Sequence, residues 1–110
     1  MKIVWSLTAI RQLDEIYDTI ASECDNATAK KWFFKISSTV DVLVDFPFAG
    51  PSIPECAFEE HFTEFIGLRQ LVVKPYRVIY EVTDEACNIL GVMRTCRLIA
   101  LASLSPSGKA

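Results

Sequence analysis

Arginine and lysine are the residues in this sequence whose charge could do chemistry, and they are unevenly distributed. Residues 1–65 contain eleven acidic and five basic residues, a net charge of −6. Residues 66–110 have a net charge of +3, with three acidic residues against Arg69, Lys74, Arg77, Arg94, Arg97 and Lys109. A positive half suits an anionic partner, either a nucleic acid or an acidic protein segment, but ordinary solubility charge could give the same margin.

The arginines differ in what their positions suggest. Arg69 and Arg77 lie within predicted strands, where an ion pair with Glu81 or another carboxylate is as reasonable as a functional role. Arg94 and Arg97 stand three residues apart near the end of a predicted strand. That placement favours a functional role for this second pair.

Histidine and cysteine provide no recognisable metal site. The single histidine, His61, could act as a base, but a surface histidine is the simpler interpretation. No CxxC spacing occurs among the four cysteines, which are Cys24, Cys56, Cys87 and Cys96. We expect buried apolar thiols rather than zinc ligands or disulfides, and neither a metal nor another cofactor.

The first part of the chain predicts a strand and two helices. Lys2 to Trp5 is short and rich in β-branched residues, as strands are. Apolar residues then recur at helical spacing from Thr8 to Glu23, after a possible N-cap at Ser6 or Thr8. A second amphipathic stretch runs from about Ala27 to Val44, with Asp25 or Asn26 as its cap, and ends before Pro47. Two such helices should pack as an antiparallel hairpin.

The second part predicts a sheet. An irregular loop over residues 47–57 contains three prolines and a glycine. Apolar and β-branched residues then fill 68–74, 77–83 and 88–96, with links short enough only for hairpins. Residues 58–65 could form an irregular strand that leads into this sheet, and residues 105–110 resemble a mobile tail.

These elements predict an α+β domain. An N-terminal strand and a helical hairpin pack on one face of a mainly antiparallel sheet of three to four further strands. We assign residues 1–104 to this domain. Because the sequence has neither a signal-peptide apolar region nor a long apolar run, we expect a cytoplasmic protein that does not enter membranes.

Several segments in this order resemble the RelE/ParE toxin superfamily. They are Trp5-Ser6 before a helix, FPFAG at 46–50, GLRQLVV at 67–73, PYRVIYEV at 75–82 and VMRTCR at 92–97. The tyrosine–arginine strand at 75–82 is the most specific of them, and the resemblance covers residues 3 to 98. It implies the toxin of a type II toxin–antitoxin module, neutralised by a cognate antitoxin and involved in plasmid stabilisation and growth inhibition, with a homodimer possible.

Members of the superfamily divide by target, and the resemblance implies two alternatives. RelE-like toxins cleave mRNA on the ribosome, and Arg77 and Arg97 match arginines that stabilise the scissile phosphate there. ParE-like toxins instead block DNA gyrase. In either case the residues expected to contact target or nucleic acid are Arg69, Lys74, Tyr76 and Arg94.

The sequence departs from the nuclease pattern at its acid–base residues. Arg94 stands where many relatives have histidine. Several nucleases of the superfamily have a C-terminal tyrosine, but no tyrosine follows Tyr80 here, and the aligned position is about Ser103. An acidic pI of about 5.1 also suits phosphate binding poorly. Both observations favour the ParE-like inhibitor over the endoribonuclease. A third alternative is a domain of the same fold without toxicity.

Overall fold

The computed structural model describes residues 1–54 and 67–96. Its elements follow the predicted order of strand, two helices and a run of strands. They are β1 (Lys2–Trp5), α1 (Leu7–Glu23), α2 (Asn26–Asp41), a 3-10 turn (Val42–Val44), β2 (Leu68–Val73), β3 (Tyr76–Val82) and β4 (Ala86–Arg94). The lead-in strand predicted at 58–65 and the tail predicted at 105–110 lie outside the described residues.

Both helices begin at a side-chain cap. The Ala9 N–H donates to the Ser6 hydroxyl at 3.0 Å, and the Thr28 N–H donates to the Asp25 carboxylate at 2.6 Å. These bonds satisfy amides that the first helical turn leaves without a partner. The hydrogen bonds from the hydroxyl and the backbone of Thr28 lower the pKa of Asp25 below its ordinary value. The sequence predicted two alternative N-cap residues for each helix. In the structure the caps are Ser6 and Asp25.

The second helix ends earlier than predicted. Its α-helical part stops at Asp41 and the chain tightens into the 3-10 turn over Val42–Val44. The N–H groups of Asp45 and Phe46 both bond to the Val42 carbonyl. A tightened last turn satisfies terminal carbonyls while Leu43 stays buried, so the apolar periodicity continues although the α-helix does not.

The four described strands form one sheet in the order β1-β4-β3-β2. β2 and β3 pair antiparallel, as do β3 and β4, which confirms the predicted hairpins. β1 pairs parallel to β4, with Lys2 opposite Ala86 and Trp5 opposite Ile89. Parallel strands need a long connection between them, and the chain between β1 and β4, which includes both helices, provides it. A register shift between Ile79 and Tyr80 marks an irregularity in the β3–β4 ladder.

The main core lies between the helices and one face of the sheet, as predicted. Its buried members come from α1, α2, the 3-10 turn and every strand from β2 to β4: Ala9, Leu13, Ile36, Val40, Leu43, Val73, Tyr76, Val78, Tyr80, Cys87, Ile89 and Val92. The opposite face has a second, smaller cluster, which consists of Ile53, Leu68, Ile79, Leu90 and Met93. β3 and β4 are therefore buried on both faces.

The described cysteines only partly match the expectation of buried thiols. Cys87 is buried, whereas Cys24 and Cys96 are exposed, so the prediction was wrong for those two. Cys24 follows the end of α1, and Cys96 lies beyond the last residue of β4, where neither helix covers the chain. All three are free thiols, and Cys56 lies outside the described residues.

Candidate functional site

Two of the predicted contact residues meet at the end of the sheet. Tyr76 begins β3 and pairs with Arg94, the last residue of β4, so their side chains share the face that the helices cover. The Arg94 guanidinium carbon lies 5.8 Å from the centroid of the Tyr76 ring. This distance lies within the cation–π range, so the ring stabilises this position of the exposed guanidinium.

The stack continues into α2. The Tyr76 ring meets the Trp32 ring edge to face, with centroids 5.7 Å apart. The Lys35 ammonium in turn lies 4.9 Å from the centroid of the Trp32 ring. We call this arrangement of Lys35, Trp32, Tyr76 and Arg94 the cation–aromatic ladder. It joins the sheet to the helical hairpin and presents one cation at each end.

Lys74 brings a third cation to the same end of the sheet. It precedes Pro75 in the turn between β2 and β3, and the Lys74–Pro75 peptide bond is cis. The Thr95 N–H donates to the Pro75 carbonyl at 2.8 Å, which fixes this turn beside the end of β4. Lys74 is exposed and precedes Tyr76 by two residues in the sequence.

A groove of about 220 Å³ adjoins the ladder between α1 and β4. β1 ends opposite Ile89, and no strand of residues 1–54 or 67–96 pairs with the rest of β4 on that side. The Gln12 side chain covers part of this edge by accepting the Val92 N–H at 2.8 Å. The groove is lined by Gln12, Glu15, Ile16, Thr19, Tyr76, Val92, Met93 and Arg94.

Arg77 lies on the other face of the sheet. It alternates with Tyr76 and Val78, and it pairs with Met93 across the β3–β4 ladder. Its side chain is only 4% exposed, and its Nη1 donates to the Gln70 side-chain oxygen at 3.1 Å. The guanidinium is thus packed within the domain and hydrogen-bonded there.

Arg69 holds the loop that follows the helices. Its Nη1 donates to the Gly50 carbonyl at 2.6 Å, and its guanidinium carbon lies 4.9 Å from the centroid of the Phe48 ring. The anticipated partner, Glu81, is thus replaced by a carbonyl and an aromatic ring. Burial raises the pKa of the neighbouring Tyr80 hydroxyl, which accepts the Gly50 N–H. These contacts give Arg69 a structural role at the edge of the sheet.

The predicted site residues therefore divide into three groups. Lys74, Tyr76 and Arg94 come together at one end of the sheet, while Arg69 and Arg77 lie elsewhere in the fold. Arg97, His61 and the position of the absent tyrosine, Ser103, fall outside the described residues.

Sequence reasoning missed the helical half of the ladder. Trp32 and Lys35 fall within the second amphipathic stretch predicted from the sequence, and neither was predicted to belong to a site. One signal could have found them: residues three apart on a helix are neighbours, so a lysine after a tryptophan at that spacing can cover its ring. The contact between Trp32 and Tyr76 has no such local signal.

Other kinds of site are absent from the described part of the chain. Within residues 1–54 and 67–96, no group of three or more histidine, cysteine, aspartate or glutamate side chains could hold a metal ion. No helix among the same residues has the length and apolar character needed to cross a membrane.

Residues 3–98 match the model described as "ParE toxin of type II toxin-antitoxin system, parDE". The chain belongs to the ParE toxin family. The match runs from within β1 to beyond the end of β4, and it confirms the sequence-based resemblance.

A solved ParE-related structure agrees with this assignment. The chain is similar to one from the "Chromosomal ParDE TA system from P. aeruginosa", with a TM-score of 0.69 and 25% sequence identity. The similarity covers 86% of this chain and 95% of the other. No curated protein sequence gives a significant match. As a ParE-family member, the chain is a type II toxin of α+β fold.

Proposed function

We propose that this ParE-family toxin inhibits a protein target of the DNA gyrase type and is neutralised by a cognate antitoxin. The observation that carries the choice of target is the burial of Arg77. This arginine is the one described residue that the nuclease interpretation places beside the scissile phosphate.

The position of Arg77 suits packing better than phosphate chemistry. To stabilise a phosphorane-like transition state, a guanidinium must place its N–H groups within hydrogen-bond distance of phosphate oxygens. Here the group is 4% exposed, and one of its nitrogens donates to Gln70. An RNA strand could reach it only after displacement of the surrounding side chains, so a structural role is favoured.

The charge of the chain supports the same choice. The formal net charge is −3, and affinity for RNA rises with the number of phosphates that basic residues neutralise. A surface with mixed charge is compatible with a protein target, where affinity comes from apolar and aromatic contacts as well as from charge.

The helical hairpin has the surface that an antitoxin segment needs. Large apolar side chains are exposed on both helices: Leu7 and Ile10 on α1, and Phe33 and Phe34 on α2. Exposed apolar side chains of this size are typical of surfaces that a partner covers. An amphipathic helix or an extended segment of the antitoxin would dock here through its own apolar residues.

The test is induced expression of the toxin in growing cells, followed by measurement of growth, mRNA integrity and plasmid topology in the same cultures. We expect growth arrest with intact mRNA and with gyrase-dependent DNA breaks. Co-expression of the gene adjacent to the toxin gene should restore growth. Arrest with cleaved mRNA would instead support the endoribonuclease, and normal growth with folded toxin present would support a non-toxic domain.

Purified components give a matched test of the target. In a reaction that contains gyrase, ATP and relaxed plasmid, the toxin should inhibit supercoiling of the plasmid. Arg77→Lys should lower the thermal stability of the toxin because it removes the planar group that reaches Gln70. At a temperature where both forms are folded, the variant should inhibit gyrase as well as the wild type does. A folded Arg77→Lys protein without any toxicity would contradict a purely structural role.

A further inference from the structure

We propose that the cation–aromatic ladder, together with Lys74 and the adjoining groove, binds an acidic, extended segment of a partner protein. The segment would place carboxylates on the cations and an apolar side chain in the groove. The partner that carries this segment would be the antitoxin, and only this identification rests on the proposed function.

The first argument is the charge at this end of the sheet. Lys35, Lys74 and Arg94 are all exposed. Among the residues that the structure describes, no carboxylate lies within ion-pair distance of any of these three cations, and their charged groups make no hydrogen bond or ring contact beyond those given above. Three cations that pair with no carboxylate of the described residues provide complementary charge for an acidic ligand.

The second argument is the fixed position of two of these cations. A cation that lies over an aromatic ring can still present N–H groups to a carboxylate, and a guanidinium can do so in a bidentate manner. Arg94 is held in this way over Tyr76, and Lys35 is held over Trp32. Side chains that are already ordered lose less entropy when a ligand binds.

The groove supplies the third argument. Its apolar lining comes from Ile16, Val92 and Met93, which would accept a branched aliphatic side chain. Glu15 lines the same groove and would repel a carboxylate placed at that end. The groove therefore selects a segment in which an apolar residue lies toward α1 and acidic residues lie toward Arg94.

A nucleic acid fits this surface less well. Single strands bind to proteins largely by stacking bases on open aromatic rings. Tyr76 is only 7% exposed, and the Trp32 ring already has the Lys35 ammonium over it. Because Tyr76 is buried and a cation lies over Trp32, charge and the apolar groove favour a peptide.

The experiment is a titration of the ¹⁵N-labelled full chain with a short peptide that alternates glutamate and leucine. The sequence contains two tryptophans, Trp5 and Trp32, so the two indole N–H signals separate the ladder from the rest of the core. We expect the Trp32 indole signal and the Arg94 amide signal to shift while the Trp5 signal stays in place. A peptide in which glutamine replaces glutamate should bind about tenfold more weakly or worse.

Charge reversal at the ladder has a matched control. Lys35→Glu combined with Arg94→Glu should weaken peptide binding about tenfold or more, since charge-assisted bonds are lost. Lys2→Glu reverses a single charge, a change of two units. Lys2 lies opposite Ala86, whereas Arg94 ends β4 roughly 25 Å away along the strand. This control should change the affinity less than about twofold. If the double variant does not fold, Arg94→Gln alone should still weaken binding.

Three outcomes would overturn the proposal. They are equal binding of the glutamine peptide, an equal loss of affinity in Lys2→Glu, and tighter binding of oligouridylate than of the acidic peptide at the same signals. These measurements need no toxicity. Failure of the growth experiment with intact peptide binding would reject the proposed function alone, whereas arrest and rescue without peptide binding would reject the ladder as the docking site.

Discussion

The backbone N–H of Gly50 donates a hydrogen bond of 2.9 Å to the hydroxyl oxygen of Tyr80, across the edge of the sheet. The bond connects the loop after the helices to a fully buried side chain in the centre of β3. Around it, the Gln70 N–H donates to the Pro51 carbonyl and the Ile53 N–H donates to the Leu68 carbonyl. The loop thereby continues the sheet beyond β2.

Removal of the tyrosine hydroxyl should destabilise the protein. Tyr80→Phe leaves the Gly50 N–H buried without its acceptor, at a cost of about 1–3 kcal/mol in the free energy of unfolding. Urea unfolding measures this change. Tyr17→Phe is the matched control, since Tyr17 is only half-buried, contacts Phe33 through its ring, and should change stability little. Equal stabilities for the two variants would show that the bond contributes nothing.

Gly50→Ala should disrupt the pairing of the loop with β2. A Cβ atom at this position would lie 2.1 Å from the Gln70 carbonyl oxygen, and neither backbone can move without loss of the surrounding hydrogen bonds. We expect a loss of about 1–3 kcal/mol and faster hydrogen exchange of the Gln70 N–H.

Gly67→Ala provides the comparison for that loop. Gly67 has a φ of +87° and open space around it, so its replacement strains only its own backbone, by about 1–2 kcal/mol. In Gly67→Ala, the ratio of the hydrogen-exchange rate of the Gln70 N–H to the rates of the other strand amides should therefore be the same as in the wild type. Equal acceleration in both glycine variants would contradict the close approach at Gly50.

The cap at Asp25 should make α2 sensitive to pH. The folded-state pKa of Asp25 lies below the ordinary value of 3.8, so the stabilisation is complete above that value and disappears as the pH falls through the folded pKa. Asp25→Ala should therefore lower the Tm at neutral pH, and its difference from the wild type should shrink as the pH falls below 3.8. Differential scanning calorimetry across this range measures it.

A second aspartate gives the control for the cap. Asp18 is exposed within α1, away from the first turn of either helix. Asp18→Ala should change the Tm only slightly at every pH. A pH-independent difference between Asp25→Ala and the wild type would mean that the carboxylate charge is not what stabilises the helix start.

The described cysteines should react at very different rates. Burial raises the pKa of the Cys87 thiol, whose sulfur lies 3.7 Å from the Met1 sulfur and 4.0 Å from the Leu43 carbonyl oxygen. Since the thiolate is the reactive form, iodoacetamide should modify Cys24 and Cys96 in the native protein while Cys87 stays unmodified until the protein unfolds. Peptide mass spectrometry after short labelling distinguishes the three sites. Equal labelling of Cys87 and Cys24 would contradict the burial of Cys87.

Gln12 should protect a single amide at the edge of β4. Gln12→Leu removes the acceptor of the Val92 N–H, and β1 does not extend far enough to replace it. We expect faster hydrogen exchange at Val92, with little change at Ile79 in the centre of the sheet. Unchanged exchange at Val92 would show that the bond to Gln12 is not needed there.

Local patterns account for most of the fold prediction. Helical periodicity and the short polar links specify which segments are helices and hairpins, and the structure confirms each of them. Ser6 and Asp25 were recognised as possible caps because their side chains act on residues three positions away. The earlier end of α2 escaped prediction because Leu43 is buried whether its turn is α-helical or 3-10.

The candidate site depends on contacts that no local pattern contains. The pairing of Tyr76 with Arg94 requires the register of β3 with β4, and the contact with Trp32 requires the position of the helices on the sheet. The burial of Arg77 was equally unpredictable, because alternation along β3 could place a polar residue in solvent or against a second apolar cluster. Sequence reasoning therefore found the cations but not which of them would share a surface.

The parallel pairing of β1 with β4 also affects how the chain folds during synthesis. Ser6, which follows β1, bonds through its hydroxyl to Leu90, 84 residues later in the chain. At ~5–20 residues per second, the ribosome needs roughly 4–17 seconds to make the intervening chain. Throughout that interval the first strand lacks its partner β4, and the helices lack the part of the core that β4 contributes. Chains released before β4 is complete would therefore lack the native sheet, and they should be substrates for proteases rather than active toxins.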